Sequence, residues 1–119
     1  MRLQTRDLAT MSVFAKGSTA LITGSASGVG LAVASLCRKH GMNLALVDNN
    51  KSLLARAKDE LSGSGTTTEA YEVDVSKIEQ WEDLRDKVKQ KFGGVEFLML
   101  NAGIGLKGGW EDQSYFHKV

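Results

Sequence analysis

The segment that most restricts this chain is residues 19–40, where a short apolar run breaks into glycine and resumes as a helical pattern. Thr19–Thr23 reads Thr-Ala-Leu-Ile-Thr, a continuous apolar run of the kind that forms a fully buried strand. The turn Thr23-Gly24-Ser25-Ala26-Ser27-Gly28-Val29-Gly30 follows directly. From Val29 the apolar residues Val33, Leu36 and Cys37 recur at three- and four-residue spacing. This predicts a helix from about Val29 to His40 with those residues on its inner face, stopped by Gly41. Each glycine has a physical reason to be there. Gly24 lets the chain leave the strand in a tight turn, and Gly28 removes the Cβ that would block a phosphate from backbone N–H groups. Gly30 lets the helix pack against the strand, and the helix N-terminus offers unpaired donors to phosphate oxygens. Three glycines alone also make plain turns. A strand before them, a helix after and a further strand beyond supply the context that nucleotide binding requires.

The alternation continues. Asn43–Asp48 reads as a second strand with Leu44, Ala45, Leu46 and Val47 at its core, and Asn50 or Ser52 starts a helix with Leu54, Ala57 and Leu61 on one face. Ser62–Thr68 holds nothing hydrophobic and is expected to be exposed. Glu69–Val75 suits a third strand. Ser76 and Glu79 form a capping box that opens a helix bearing Ile78, Trp81, Leu84, Val88 and Phe92, ended by Gly93-Gly94. Val95–Leu100 suits a fourth strand, and Glu111–Val119 reads as the first turns of a further helix. Strands alternating with helices imply an α/β fold with a parallel sheet covered on both faces. With right-handed crossovers this is a Rossmann-type sheet in the order 3-2-1-4, expected to be truncated after the fourth strand.

Composition excludes several classes. The 119 residues hold 15 Lys+Arg against 14 Asp+Glu, a formal charge of +1. That balance gives no electrostatic case for nucleic acid or an anionic membrane. The length allows one domain, and the longest apolar run, near residues 97–100, is far short of a membrane span. Cys37 has no second cysteine to pair with, and His40 and His117 lie far apart with no metal-ligand spacing around them. These features suit a cytoplasmic protein. Residues 1–18 read as a flexible leader ahead of a partial nucleotide-binding domain at 19–119. A mitochondrial targeting role for Arg2, Thr5, Arg6, Thr10 and Ser12 is the alternative, opposed by Asp7 and the absence of an amphipathic pattern.

Asp48 closes the second strand, 18 residues after Gly30. A carboxylate there can accept hydrogen bonds from both hydroxyls of an adenosine ribose and repels a 2′-phosphate. No Arg or Lys stands in the turn or directly beside Asp48, Lys51 being the nearest base. This favours NAD over NADP. The plainer reading is that Asp48 caps the next helix, a task Asn49 and Asn50 could perform equally.

These residues resemble the short-chain dehydrogenase/reductase family. The likeness rests on Thr23-Gly24-x-x-x-Gly28-x-Gly30, on Asp74-Val75 after the third strand and on Asn101-Ala102-Gly103 after the fourth, and it covers about residues 16–119. It implies that Ser25, Ser27 and Val29 line the pyrophosphate and ribose, with Gly24, Gly28 and Gly30 forming the turn. It further implies that Asp74 reaches the adenine amino group beside the Val75 backbone, and that Asn101, Ala102 and Gly103 face the ribose and brace the sheet. Bland roles compete: Asp74 could serve the start of the Trp81 helix, and Asn101 could simply end a strand.

The family's chemistry uses a Tyr that exchanges a proton with the substrate, a Lys four residues later and a Ser about a dozen residues earlier. The late residues Ser114, Tyr115 and Lys118 lack that spacing, so no catalytic residue is assigned. The resemblance therefore implies the dinucleotide-binding half of an NAD(H)-dependent oxidoreductase, expected to be inactive alone. A full-length form would act on a small alcohol or ketone and assemble as a homo-oligomer. Two other readings stay open: a non-catalytic nucleotide-binding module, and a truncated product without a function of its own.

Overall fold

The computed structural model describes residues 14–63 and 65–101. Four strands and three helices alternate along them: β1 (Thr19–Thr23), α1 (Gly28–Lys39), β2 (Asn43–Asp48), α2 (Lys51–Leu61), β3 (Thr68–Glu72), α3 (Ile78–Phe92) and β4 (Phe97–Met99). The strands form one parallel sheet in the order β3-β2-β1-β4, with Ile22 set between Leu46 and Met99. This is the Rossmann-type topology expected from the sequence.

The period-two alternation of the strands divides the core in two. Ala20, Ile22, Leu44 and Leu46 point to the face covered by α1 and α2, where they meet Ala34, Cys37, Leu54, Ala57 and Leu61. Leu21, Ala45 and Val47 point to the other face, against Leu84 and Val88 of α3. α3 lies opposite its two predecessors because its crossover runs back across the sheet, from β3 to β4, and right-handedness then reverses the face. Central β1 and β2 are buried on both sides, which is why they read as unbroken apolar runs. Full burial of a side chain such as Leu46 contributes about 1.5–3 kcal/mol.

Several local expectations change. α1 buries Gly30, Ala34 and Cys37, while Val29 and Leu36 are 64% and 52% exposed. The smallest residues form the fully buried stripe because they let helix and sheet approach closely, with Leu31 and Val33 packed partly against it, so Val29 and Leu36 do not mark the inner face. Burial pushes the Cys37 thiol up from its ordinary pKa, keeping it protonated in the core. The capping box does not form. α3 begins one residue later than expected, with Lys77 at its N-cap, and no side chain caps it. Ser76 instead gives its N–H and Oγ–H to Asp74 Oδ1, at 3.0 and 2.6 Å. A nearby carboxylate outcompetes the helix for the serine. Thr68, expected in an exposed loop, is buried as the first residue of β3. The β3 ladder covers 68–72 rather than 69–75, and the β4 ladder only the central residues 97–99 of the run 95–100.

Residues 14–18, read above as leader, belong to the packed structure. The Phe14 ring lies 5.3 Å from that of Phe97, and Gly17 N–H donates to Gly41 O at 2.9 Å. The helix read over 111–119, together with Ser114, Tyr115 and Lys118, lies outside the described residues.

The two sheet edges differ. At β3, the Glu69 carboxylate reaches both Lys58 of α2 and Lys91 of α3, each at 3.5 Å. At β4, Leu98 and the following Leu100 stand 55% and 47% exposed.

Candidate cofactor-binding site

At the C-terminal ends of the strands, where the strand order reverses between β1 and β4, the loops after β1, β2, β3 and β4 surround a cleft of about 380 Å³. Parallel open sheets bind ligands at this position. Gly24, Ser27, Gly28, Val29, Asp48 and Val75 all line the cleft, as does Asn101.

The turn is shaped by backbone geometry. Gly24 and Gly28 hold φ of +64° and +58°, the left-handed region that favours glycine. A Cβ on Gly28 would meet no atom of the described residues within 4 Å. The open space in front of this residue is where a ligand can reach the chain. Behind it, α1 starts at an N-cap, Ser27, whose side chain makes no capping bond, and its first turn carries no acidic residue. α2 is different, since Asn50 Oδ1 accepts from Leu53 N–H at 3.0 Å. The amides at the start of α1 are thus left for an outside acceptor, and the helix dipole favours an anionic one.

Asp48 faces this turn from the end of β2. Its Oδ2 accepts from Ala26 N–H and its Oδ1 from Asn50 N–H, each at 3.0 Å. An ionised carboxylate offers about four acceptor positions. Two of them therefore stay available at the cleft wall, one on each oxygen. Capping of α2 falls to Asn50, so that role is removed from Asp48.

Three other expected residues, Ser25, Gly30 and Asp74, stand off the cleft. Ser25 is buried, with its hydroxyl directed to Val47 O at 3.4 Å, and so does not line the space assigned to the pyrophosphate. Gly30 is buried behind the turn, where it lets α1 pass close to Gly24. Asn101 Nδ2 lies 3.5 Å from Gly24 O, fastening the end of β4 to the turn. Asp74 turns its Oδ1 to Ser76, and its N–H donates to Gln80 Oε1 at 2.8 Å. Ala102 and Gly103 lie outside the described residues.

The cleft also includes Asn49, Leu53 and Val73, which the motif reading missed. Asn49 and Val73 directly follow the ends of β2 and β3, and Leu53 lies in the first turn of α2, one position before the buried stripe begins at Leu54. Their shared signal is position, since every residue just after a parallel strand ends at the same rim.

The Ser76 hydroxyl, and then its backbone N–H, hold the Asp74 carboxyl below its ordinary pKa. A depressed carboxylate pKa contributes stability that is present above the unfolded value and lost as pH falls through the folded one. In Ser76→Ala the Asp74 pKa is expected to move up towards the ordinary value, read by NMR titration of the side-chain carboxyl. An unchanged pKa would show that the hydroxyl bond does not form in solution.

Comparison with known proteins places this cleft in a family. A sequence profile described as short chain dehydrogenase matches residues 18–118. The chain is 36% identical over 86 residues to a diacetyl reductase [(S)-acetoin forming] of Staphylococcus epidermidis, covering 72% of this chain and 34% of the relative. It is 36% identical over 88 residues to 3beta-hydroxysteroid dehydrogenase 2 of Eggerthella lenta, covering 74% and 34%. Among solved structures, a short chain dehydrogenase/reductase from Burkholderia phymatum in complex with NAD superposes with a TM-score of 0.72 at 39% identity, over 76% of this chain and 32% of that one. L-sorbose reductase from Gluconobacter frateurii, complexed with NADPH and L-sorbose, gives 0.73 at 32% identity, over 88% and 41%. The chain spans about a third of the length of the curated relatives it matches. By the profile match over most of its length, and by a strand order and glycine turn that agree with it, this chain belongs to the short chain dehydrogenase family.

Proposed function

We propose that this chain supplies the adenosine and pyrophosphate site of an NAD(H)-dependent oxidoreductase. The observation that carries the reading is the placement of the Asp48 carboxylate across one cleft from the uncapped start of α1. Gly28 and the α1 amides would take the pyrophosphate, and Asp48 the two ribose hydroxyls. Leu53, Val73 and Val75 would flank the adenine. Bound nicotinamide supplies hydride transfer to or from a secondary alcohol or carbonyl. These 119 residues contain no Tyr followed four positions later by Lys, Tyr71 being followed by Val75 and Tyr115 by Val119. On this reading they bind the cofactor without turning substrate over, and the proton transfer and the small alcohol or ketone belong to a full-length form. That form would be a cytoplasmic homo-oligomer, in line with the family resemblance.

Solved relatives carry NAD in one case and NADPH in another, so the family alone does not choose between them. Asp48 favours NAD(H), because a 2′-phosphate would bring its negative charge against the carboxylate with no Arg or Lys among the described lining residues to offset it. Calorimetric titration should show NAD(H) binding at least about tenfold tighter than NADP(H), the effect of a like-charge contact of about 1.4 kcal/mol. Tighter NADP(H) binding would overturn the NAD preference. Absence of binding by either dinucleotide would overturn the site, and NAD-dependent turnover by these residues alone would overturn the division of labour.

A further inference from the structure

Asp48 makes two hydrogen bonds that have nothing to do with a ligand, and they are not equivalent. The bond from Asn50 N–H lies at an exposed position, where water can replace it. The bond from Ala26 N–H joins residues 22 apart in sequence, and Ala26 itself is 5% exposed. Among the described residues Asp48 Oδ2 is the only acceptor this amide has. Ala26 sits midway between Gly24 and Gly28, the two positive-φ residues that bend the turn. Of the three residues between them, Ser25 is also fastened to β2, through Val47 O, whereas the Ser27 side chain makes no capping bond. A glycine-rich loop has much conformational freedom to lose on ordering, and this one is held in its bent form at Ser25 by a backbone carbonyl and at its midpoint, Ala26, by the Asp48 carboxylate.

From this we infer that Asp48 is a positioning residue for the glycine turn as well as a reader of the ribose. It holds Ala26 so that the amides of Gly28 and the start of α1 already face the phosphates before a nucleotide arrives. The inference rests on the cofactor reading above and extends it. Substitutions at Asp48 meant to admit a 2′-phosphate would also loosen the phosphate site, and so would weaken both dinucleotides instead of exchanging one preference for the other.

The two roles separate with a ligand that has no ribose hydroxyls to read. The probes are ADP and 2′,3′-dideoxy-ADP, titrated calorimetrically into the full 119-residue chain and into D48A and D48N. The wild-type chain should prefer ADP. D48N keeps an amide oxygen able to accept from Ala26 N–H but loses the charged pairing with the ribose. Both variants lose the carboxylate's charge beside the diphosphate, so D48N is the reference for the dideoxy nucleotide, and its preference for ADP should be reduced. D48A has no acceptor and should bind dideoxy-ADP about tenfold more weakly than D48N, the effect expected when a buried donor loses its acceptor. Hydrogen exchange at the Ala26 amide should accelerate in D48A and stay slow in D48N, with the β1 amides as an internal control for global folding. Should D48A not fold, D48L, close to aspartate in shape but without an acceptor, takes its place.

A dideoxy-ADP affinity in the folded acceptor-less variant equal to that of D48N would overturn the positioning role and leave the ribose role standing. Failure of the wild-type chain to bind ADP at all would overturn the cofactor reading and this inference with it.

Discussion

Replacing Gly30 by alanine is expected to destabilise the fold by at least about 3 kcal/mol, the upper range for a single overpacked position. The added Cβ would fall inside contact distance of the Gly24 carbonyl oxygen, 2.8 Å from the Gly24 carbonyl carbon and 2.9 Å from Asn101 Nδ2. None of these atoms can yield cheaply. Gly24 directly follows β1, whose residues 20–22 pair on both sides, and Asn101 Nδ2 lies 3.5 Å from Gly24 O. One methyl group must therefore push α1 off the sheet, and with it the contacts of Ala34 and Cys37 in the first core. Urea denaturation followed by circular dichroism measures the loss. A decrease below about 1 kcal/mol, the ordinary effect of a point mutation, would mean that helix and turn are not in rigid contact.

Gly28 should respond in the opposite way. Alanine there meets no atom of the described residues within 4 Å and adopts a φ of +58°, so the stability loss should be about 1 kcal/mol, the strain of a non-glycine residue in the left-handed region. Its Cβ, however, would stand in the cleft in front of the α1 amides. NAD(H) affinity should fall about a hundredfold, as expected if roughly two hydrogen bonds to charged phosphate oxygens are lost. Titration of Gly28→Ala beside its own denaturation curve gives both numbers. Full affinity in the folded variant would remove the pyrophosphate from this position. Two glycines two residues apart thus have separable duties, one to the packing of helix on sheet and one to the ligand.

This contrast also shows what a reader of the sequence could and could not see. The parallel sheet and its order were legible because β1 and β2 are buried on both faces and so carry only apolar residues over three and four central positions. The cleft was legible at Gly24, Gly28 and Asp48, where a backbone conformation or a charge depends on one residue type. The buried stripe of α1 was not legible, because close packing selected Gly30, Ala34 and Cys37, which carry weak hydrophobic signals, over Val29 and Leu36. The start of α3 was misread for another reason. Ser76 has two competing partners, and only the spatial position of the Asp74 carboxylate decides between them. Ser25 shows the same limit, since its sequence position in the turn gave no sign that its hydroxyl is directed back to β2.

The Glu69 clamp makes the sheet polar in how it can grow. Two lysines, one from each face, converge over the outer strand β3, and an incoming strand would have to displace both before it could reach the β3 backbone. Among the described residues no comparable ion pair stands over β4, whose flank presents Leu98. Among the described residues, lateral addition therefore meets a charged flank at β3 and an apolar one at β4. Because exposed ion pairs are screened by salt, raising the ionic strength would weaken this contrast without touching the apolar side.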